Sequence, residues 1–251
     1  MTGSLGKALA ILDLFTEGAP GWRPDELMAA TGYARPTLYR YLKALREAGL
    51  LASDSAGTLT LGPRVTELDY LARRADPLIR EGRPALERLA ARHPSSALLV
   101  RWYGEVLLCV DAAVSAPRPL SSYPRGRPMP LARGAISRAI LAFLPRRKVL
   151  PILRANLAEL SRHGIGPDEE GALEALREVR RDGVAVAHGE VTPGVVGVAA
   201  PVFDGGPIPV AALCVTSDAA LAPAIPDIRR DVRAEARALS ARLTVSEELK
   251  C

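Results

Sequence analysis

Apolar residues recur at helical spacing from the start of the chain. Leu5, Leu9, Leu12 and Phe15 predict a helix over residues 4–16, with Ser4 as its N-cap. The stretch from Glu17 to Gly21, rich in glycine and proline, ends it. A second helix opens at Pro24, a favoured first helical residue, with Asp25 and Glu26 at the positive end of the helix dipole, and stops at Gly32. A third runs from Pro36 to Glu47, with Leu38, Leu42 and Leu45 along one face and Gly49 as its stop. Arg35 precedes a proline and is expected to be extended. Two β-prone runs between Leu50 and Leu61 flank a Ser/Asp/Gly turn and predict a hairpin, closed by Gly62 and Pro63. Residues 64–75 return to helical spacing, and Asp76-Pro77 is the expected break between domains.

Beyond that break helices and strands mix. The pattern predicts a helix over 77–92, strands Ala97–Tyr103 and Val106–Ala112 around a Gly104-Glu105 turn, and a Pro/Arg/Ser-rich loop over 115–130. Helices follow over 134–144, 146–160 and 169–182, then strands Val184–Ala187, Val195–Phe203 and Val210–Thr216 and a last helix over 225–243. Adjacent strands joined by short turns imply an antiparallel sheet with helices grouped around it, an α+β domain.

Three short helices and a hairpin describe a winged helix-turn-helix. Gly32 supplies the small residue its tight turn needs. The third helix buries its leucines and offers the remainder, Thr37, Tyr39, Arg40, Tyr41, Lys43 and Arg46, to a major groove. Arg40 can bond guanine edges or a phosphate. Thr37, Lys43 and Arg46 suit phosphates, Arg35 adds a further basic residue on the DNA side, and Thr58 and Thr60 on the wing suit the DNA backbone.

Composition narrows the class. The chain has 251 residues, 48% hydrophobic and 24% charged, ordinary values that exclude wholesale disorder and fit one large or two small domains. No apolar run of about 18 residues predicts a membrane span, and no export signal opens the chain, so a cytoplasmic location is expected. Cys109, Cys214 and Cys251 are odd in number and far apart, and the first two lie in apolar runs; reduced thiols are expected rather than disulfides or a metal site. No Gly-x-Ser-x-Gly, Walker loop, His-Glu-x-x-His or Cys-x-x-Cys is present, so no catalytic residue, cofactor or metal is expected. A thiol triad of Cys214, His188 and Glu190 is the one enzymatic arrangement to set against this, and the apolar setting of Cys214 opposes it. His93 and His163 are expected at helix ends on the surface.

From end to end the chain resembles the isocitrate-lyase-regulator (IclR) family of bacterial transcription factors. The resemblance is carried by Ser4–Phe15, Leu27–Leu51, Leu59–Arg64, Gly126–Pro145, Glu190–Phe203 and Val210–Thr216, in the family's order and spacing. It implies a winged helix-turn-helix over 1–62, a linker helix over 63–76, and a GAF-like domain over 77–251 that binds a small effector, in a homodimer or dimer of dimers on double-stranded DNA. By motif position it implies a pocket lined by Met129, Leu131, Gly134, Ala135, Ile136, Gly197, Cys214 and Thr216. The chain departs from the family at Ala132, where histidine is frequent, and at Ala187-His188, where an acidic pair is frequent.

The net charge of +5 adds a further expectation. Residues 1–75 hold nine basic and eight acidic residues, so most of the surplus lies elsewhere. Between Asp111 and Glu159 there is no acidic residue, while Arg118, Arg125, Arg127, Arg133, Arg138, Arg146, Arg147, Lys148 and Arg154 fall within. An anionic effector is expected, its carboxylate paired by Arg133 or a loop arginine, its body covered by Met129, Leu131, Ile136 and Val198, with His188 available to polarise it.

Overall fold

A computed structural model describes residues 3–116 and 120–248; Arg118 and Cys251 lie outside the described residues. The chain divides into two compact units, Met1–Ala75 and Asp76–Cys251.

In the first unit the expected single helix is two pieces, α1 (Ser4–Leu9) and a 3-10 turn (Leu12–Leu14). The tighter turn breaks the 3.6-residue period, and the buried positions become Ala8 and Ile11, while Leu5 is 73% exposed. Gly3, not Ser4, takes the cap position. The Ser4 hydroxyl instead lies 3.2 Å from that of Tyr41. Helix α2 (Pro24–Thr31) ends at Gly32, whose φ of 68° is the left-handed conformation that favours glycine. The chain then enters α3 (Arg35–Glu47). Ala34 is the extended residue and Arg35 is already helical, the reverse of the expectation. Pro36 is tolerated there because first-turn amides have no helical acceptor. Strands β1 (Leu51–Ser53) and β2 (Leu59–Leu61) pair antiparallel, and Trp22 bridges to Leu59 on the far side. The core is Ile11, Leu27, Leu38, Tyr41, Leu42, Leu45, Leu51 and Leu59. Helix α4 (Pro63–Ala75) buries no residue within this unit and exposes Leu68, Tyr70 and Leu71.

The second unit begins with α5 (Pro77–Arg92), β3 (Ser96–Trp102), β4 (Leu107–Val114) and a two-residue strand, β5 (Pro128–Met129), too short to leave a periodic signal. Next come α6 (Gly134–Leu141), α7 (Arg146–Ala155), α8 (Leu157–Arg162) and α9 (Glu169–Asp182). Strands β6 (Ala185–His188), β7 (Val195–Val202) and β8 (Ala211–Asp218) precede the closing α10 (Ile225–Glu248). The expected 146–160 helix is broken at Asn156, whose side chain donates back to the Ile152 carbonyl.

All strand pairs are antiparallel, in the order β5-β4-β3-β8-β7-β6. The sheet is buried on both faces, so β3 reads as a continuous apolar run rather than an alternation. Leu98, Val100 and Cys214 face α6 and α9, whereas Ala97, Leu99 and Val215 face α5 and α10. His93 is 7% exposed rather than on the surface. Its Nε2 lies 3.0 Å from Asp231, which Arg92 and Arg230 also reach, tying the end of α5 to α10. His163 is half-buried against Glu159.

Candidate functional site

The first unit builds a basic helix face. Burial of Leu38, Tyr41, Leu42 and Leu45 defines the inner stripe of α3. At 100° per residue, Arg40, Lys43 and Glu47 lie opposite that stripe, with Arg35, Tyr39 and Arg46 along one flank. All six are exposed, and Thr37 is half-buried on the other flank. Tyr41 is a correction: at 6% exposure it belongs to the core, edge-on to the Tyr33 ring, and is not offered to a groove. Its spacing from Leu38 and Leu45 was the available signal. The Arg35 guanidinium lies 5.5 Å from the Tyr39 ring centre and that of Arg40 5.4 Å from the Tyr41 ring, so both arginines rise from aromatic supports. Lys43 and Glu47 form an exposed pair at 3.8 Å. In the wing, Asp54 Oδ1 accepts the Ala56 and Thr58 amides, which shapes the turn and leaves Thr58 half-buried.

The second unit holds a partly open cavity between the sheet, the 120–123 loop, the start of α6 and the 190–195 turn, with about 560 Å³ of empty space when its opening to solvent is included. Of the residues named from the sequence, Met129, Arg133, Gly134, Ala135, Ile136, Gly197, Cys214 and Thr216 line it. Leu131, His188 and Val198 do not. Leu131 packs against the core beside the cavity, and its carbonyl accepts the Ser137 hydroxyl. His188 is exposed at the end of β6, one residue past Ala187, which does line the cavity. Val198 is buried on the opposite sheet face, between two residues of the cavity side. Both errors are of one residue in a strand of period two, which turns a side chain to the other face. With His188 outside, the thiol triad is not assembled.

Glu190, considered from the sequence only as a triad member, is here a cavity residue paired with Arg138. Its carboxylate accepts a fork from Arg138 at 2.8 and 2.9 Å and the Gly134 amide at 2.9 Å. The pair is buried, and Arg138 also donates to the Val186 carbonyl at 2.5 Å. Gly134 has φ 85°, and a Cβ there would stand 2.8 Å from Val191 Cγ2, so only glycine brings α6 this close to the turn. Arg133 donates through Nη1 to Glu159 at 3.2 Å, while its Nε is enclosed with no acceptor. Burial pushes the Cys214 thiol up to about 12, so it stays protonated and acts as a wall. The remaining walls are mostly apolar, among them Leu98, Leu107, Val191 and Val195, with Ser121, Tyr123, Ser137 and Thr192 adding hydroxyls.

The acid-free stretch is not an open positive field. Glu190 neutralises Arg138, Glu159 meets Arg133, and Glu169 meets Arg154 at 2.5 Å, each carboxylate arriving from outside the stretch. Charge counted along the sequence therefore overstates the charge in space. Among the described residues no cluster of three or more acidic, histidine or cysteine side chains has the geometry of a metal site, and no helix is long and apolar enough to cross a membrane.

Comparison with known proteins agrees with this geometry. The model of the IclR helix-turn-helix domain matches residues 4–55, and that of the bacterial transcriptional regulator IclR C-terminal domain matches residues 71–241. The HTH-type transcriptional regulator KipR of Bacillus subtilis is 27% identical over 201 residues, covering 79% of each chain. A crystal structure of an IclR transcriptional regulator from a Silicibacter species covers 97% of this chain and 96% of its own, with a TM-score of 0.78 at 26% identity. An IclR homologue from Microbacterium hydrocarbonoxydans, crystallised with 4-hydroxybenzoate, shares the fold with a TM-score of 0.77 at 19% identity, over 97% of this chain and 100% of its own.

Proposed function

The chain belongs to the IclR family of bacterial transcriptional regulators, and from this premise we propose that it binds operator DNA through α3 and the β1–β2 wing, under the control of a small anionic ligand held in the cavity of the second unit. The observation that carries the reading is the partly open, largely apolar cavity of the second unit, whose described lining holds Arg133 as its cation. The 4-hydroxybenzoate complex of the distant Microbacterium homologue supports a small acid as occupant.

Arg40 is the base-reading residue of this proposal; Arg35, Thr37, Lys43, Arg46 and the wing at Thr58 hold phosphates, with Tyr39 supporting Arg35. Leu5, Leu9, Leu68, Tyr70 and Leu71 are exposed within the first unit, and a second copy of the chain is the partner that covers them. In such a dimer the two recognition helices enter successive major-groove half-sites ~34 Å apart or a multiple of it. Residues 63–76 serve as the linker between DNA-binding and effector domains. Ligand in the cavity alters the spacing of the two winged helices, and the two affinities are coupled reciprocally by roughly 1–3 kcal/mol. The regulated genes are a neighbouring catabolic operon, and the protein works in the cytoplasm.

The test is retardation of the chain's own upstream DNA in a gel, with and without small carboxylates. Retention relieved or strengthened by an acid supports the reading; absence of any retained fragment overturns it.

A further inference from the structure

Ser4 stands where a helix cap is expected, yet no side-chain bond caps α1. Its hydroxyl lies 3.2 Å from that of Tyr41 on α3 instead. The Tyr33 ring meets the Tyr41 ring edge-on, and the Tyr33 hydroxyl donates to the Lys7 carbonyl at 3.3 Å. Two phenols thus fix α1 against one flank of α3. That flank also carries Thr37, one turn before Tyr41.

The charges that reach this junction are of one sign. The hydrogen bond with Ser4, then Arg40 and the charge of Lys7, hold the Tyr41 phenol below its ordinary value against the opposing effect of burial. No carboxylate acts on it. The Arg40 guanidinium lies 5.4 Å from the Tyr41 ring centre, and Ser4, Lys7 and Arg40 are all exposed. Neither Lys7 nor Arg40 forms an ion pair with another described residue. Two exposed cations without counter-ions, beside an exposed hydroxyl at the rim of the recognition helix, offer charge-assisted hydrogen bonds to an anion arriving from outside. On the face that α3 presents to DNA, that anion is a backbone phosphate.

We propose that Lys7 and Ser4 of α1 hold a DNA phosphate on the wall of the groove that α3 enters, an inference that rests on the reading of the first unit as the DNA-binding one. The Lys7 ammonium supplies the charge and the Ser4 hydroxyl a directed donor. Only side chains are used, and no backbone amide of α1 is required. Tyr41 is a positioning residue: buried itself, it fixes the Ser4 hydroxyl without touching DNA. The contact adds affinity and sets the angle of α3 in the groove, while base reading stays with Arg40.

The test is binding of the full chain to two duplexes, its own upstream DNA and a random sequence of equal length, over a series of salt concentrations. Lys7→Ala should lower the slope of log affinity against log salt by about one on both duplexes, and Lys7→Arg should restore it. Ser4→Asp should weaken both duplexes about tenfold or more, because a carboxylate then faces the phosphate. The same carboxylate suits the first turn of a helix and the two cations beside it, so the thermal midpoint should hold or rise. Arg40→Ala should differ by costing the upstream DNA more than the random duplex. If the Ser4–Tyr41 contact only packs α1 onto α3, Lys7→Ala keeps the parent's slope and Ser4→Asp the parent's affinity; either result overturns the proposal. A parent chain that binds DNA alongside such variants removes only the α1 contact, whereas a parent that binds neither duplex removes the DNA-binding reading itself.

Discussion

Arg138 and Glu190 meet across 52 residues of sequence in a two-pronged ion pair, each side chain more than nine-tenths buried. Glu190 also caps the approach to α6 through the Gly134 amide. The pair thus joins α6 to the turn after β6 and forms one end of the cavity.

Glu190→Gln leaves Arg138 charged and enclosed without a counter-ion. Breaking a buried pair from one side costs about 3–5 kcal/mol. Chemical denaturation should show a loss in this range, with ligand binding lost as well. A loss below about 1 kcal/mol would mean that water reaches the pair.

Arg40→Ala and Tyr41→Ala, one residue apart, should fail differently. Arg40 is exposed, so its removal should abolish operator retention and leave the thermal midpoint unchanged. Tyr41 is core, and its truncation should destabilise the first unit by about 3–5 kcal/mol. Equal destabilisation by the two variants would contradict this division.

Lys43 stands on the outer pole of α3 beside the exposed Glu47. If it neutralises one phosphate, Lys43→Ala should reduce the slope of log affinity against log salt by about one, without changing sequence preference. A slope equal to the parent's would take Lys43 off the DNA.

Cys214 is fully buried with its thiol pushed up to about 12, so thiolate is negligible near neutrality. In a Cys251→Ser chain, with Cys109 also buried, iodoacetamide at pH 7.5 should label nothing until denaturant is added. Rapid labelling of Cys214 in the folded protein would reopen nucleophilic chemistry.

Glu169 is held below its ordinary value of 4.5, first by the hydrogen bond from Arg154 and then by that residue's charge. A lowered folded-state value means stability present above pH 4.5 and lost as pH falls through the lowered value. Glu169→Gln should therefore differ from the parent at neutral pH, with the difference closing in acid. A gap that widens in acid would reverse the sign.

Periodicity alone determined most of the architecture. The leucines of α3, Gly32 between two helices, the turn at Gly104 and the run of β7 and β8 are local patterns, and local patterns are what backbone geometry reads. The motifs of the second half likewise carried Gly134, Ala135, Cys214 and Thr216 to one cavity. Only tertiary structure decided which neighbour of a pair faces inward. Ala187 rather than His188 lines the cavity, and Gly197 rather than Val198, because sheet pleat and register set the face and both sheet faces here are apolar. Only tertiary structure brought Glu190 to Arg138, Glu159 to Arg133 and Asp231 to His93. Charges interact through space over a few ångströms, and a count along the chain contains no distances.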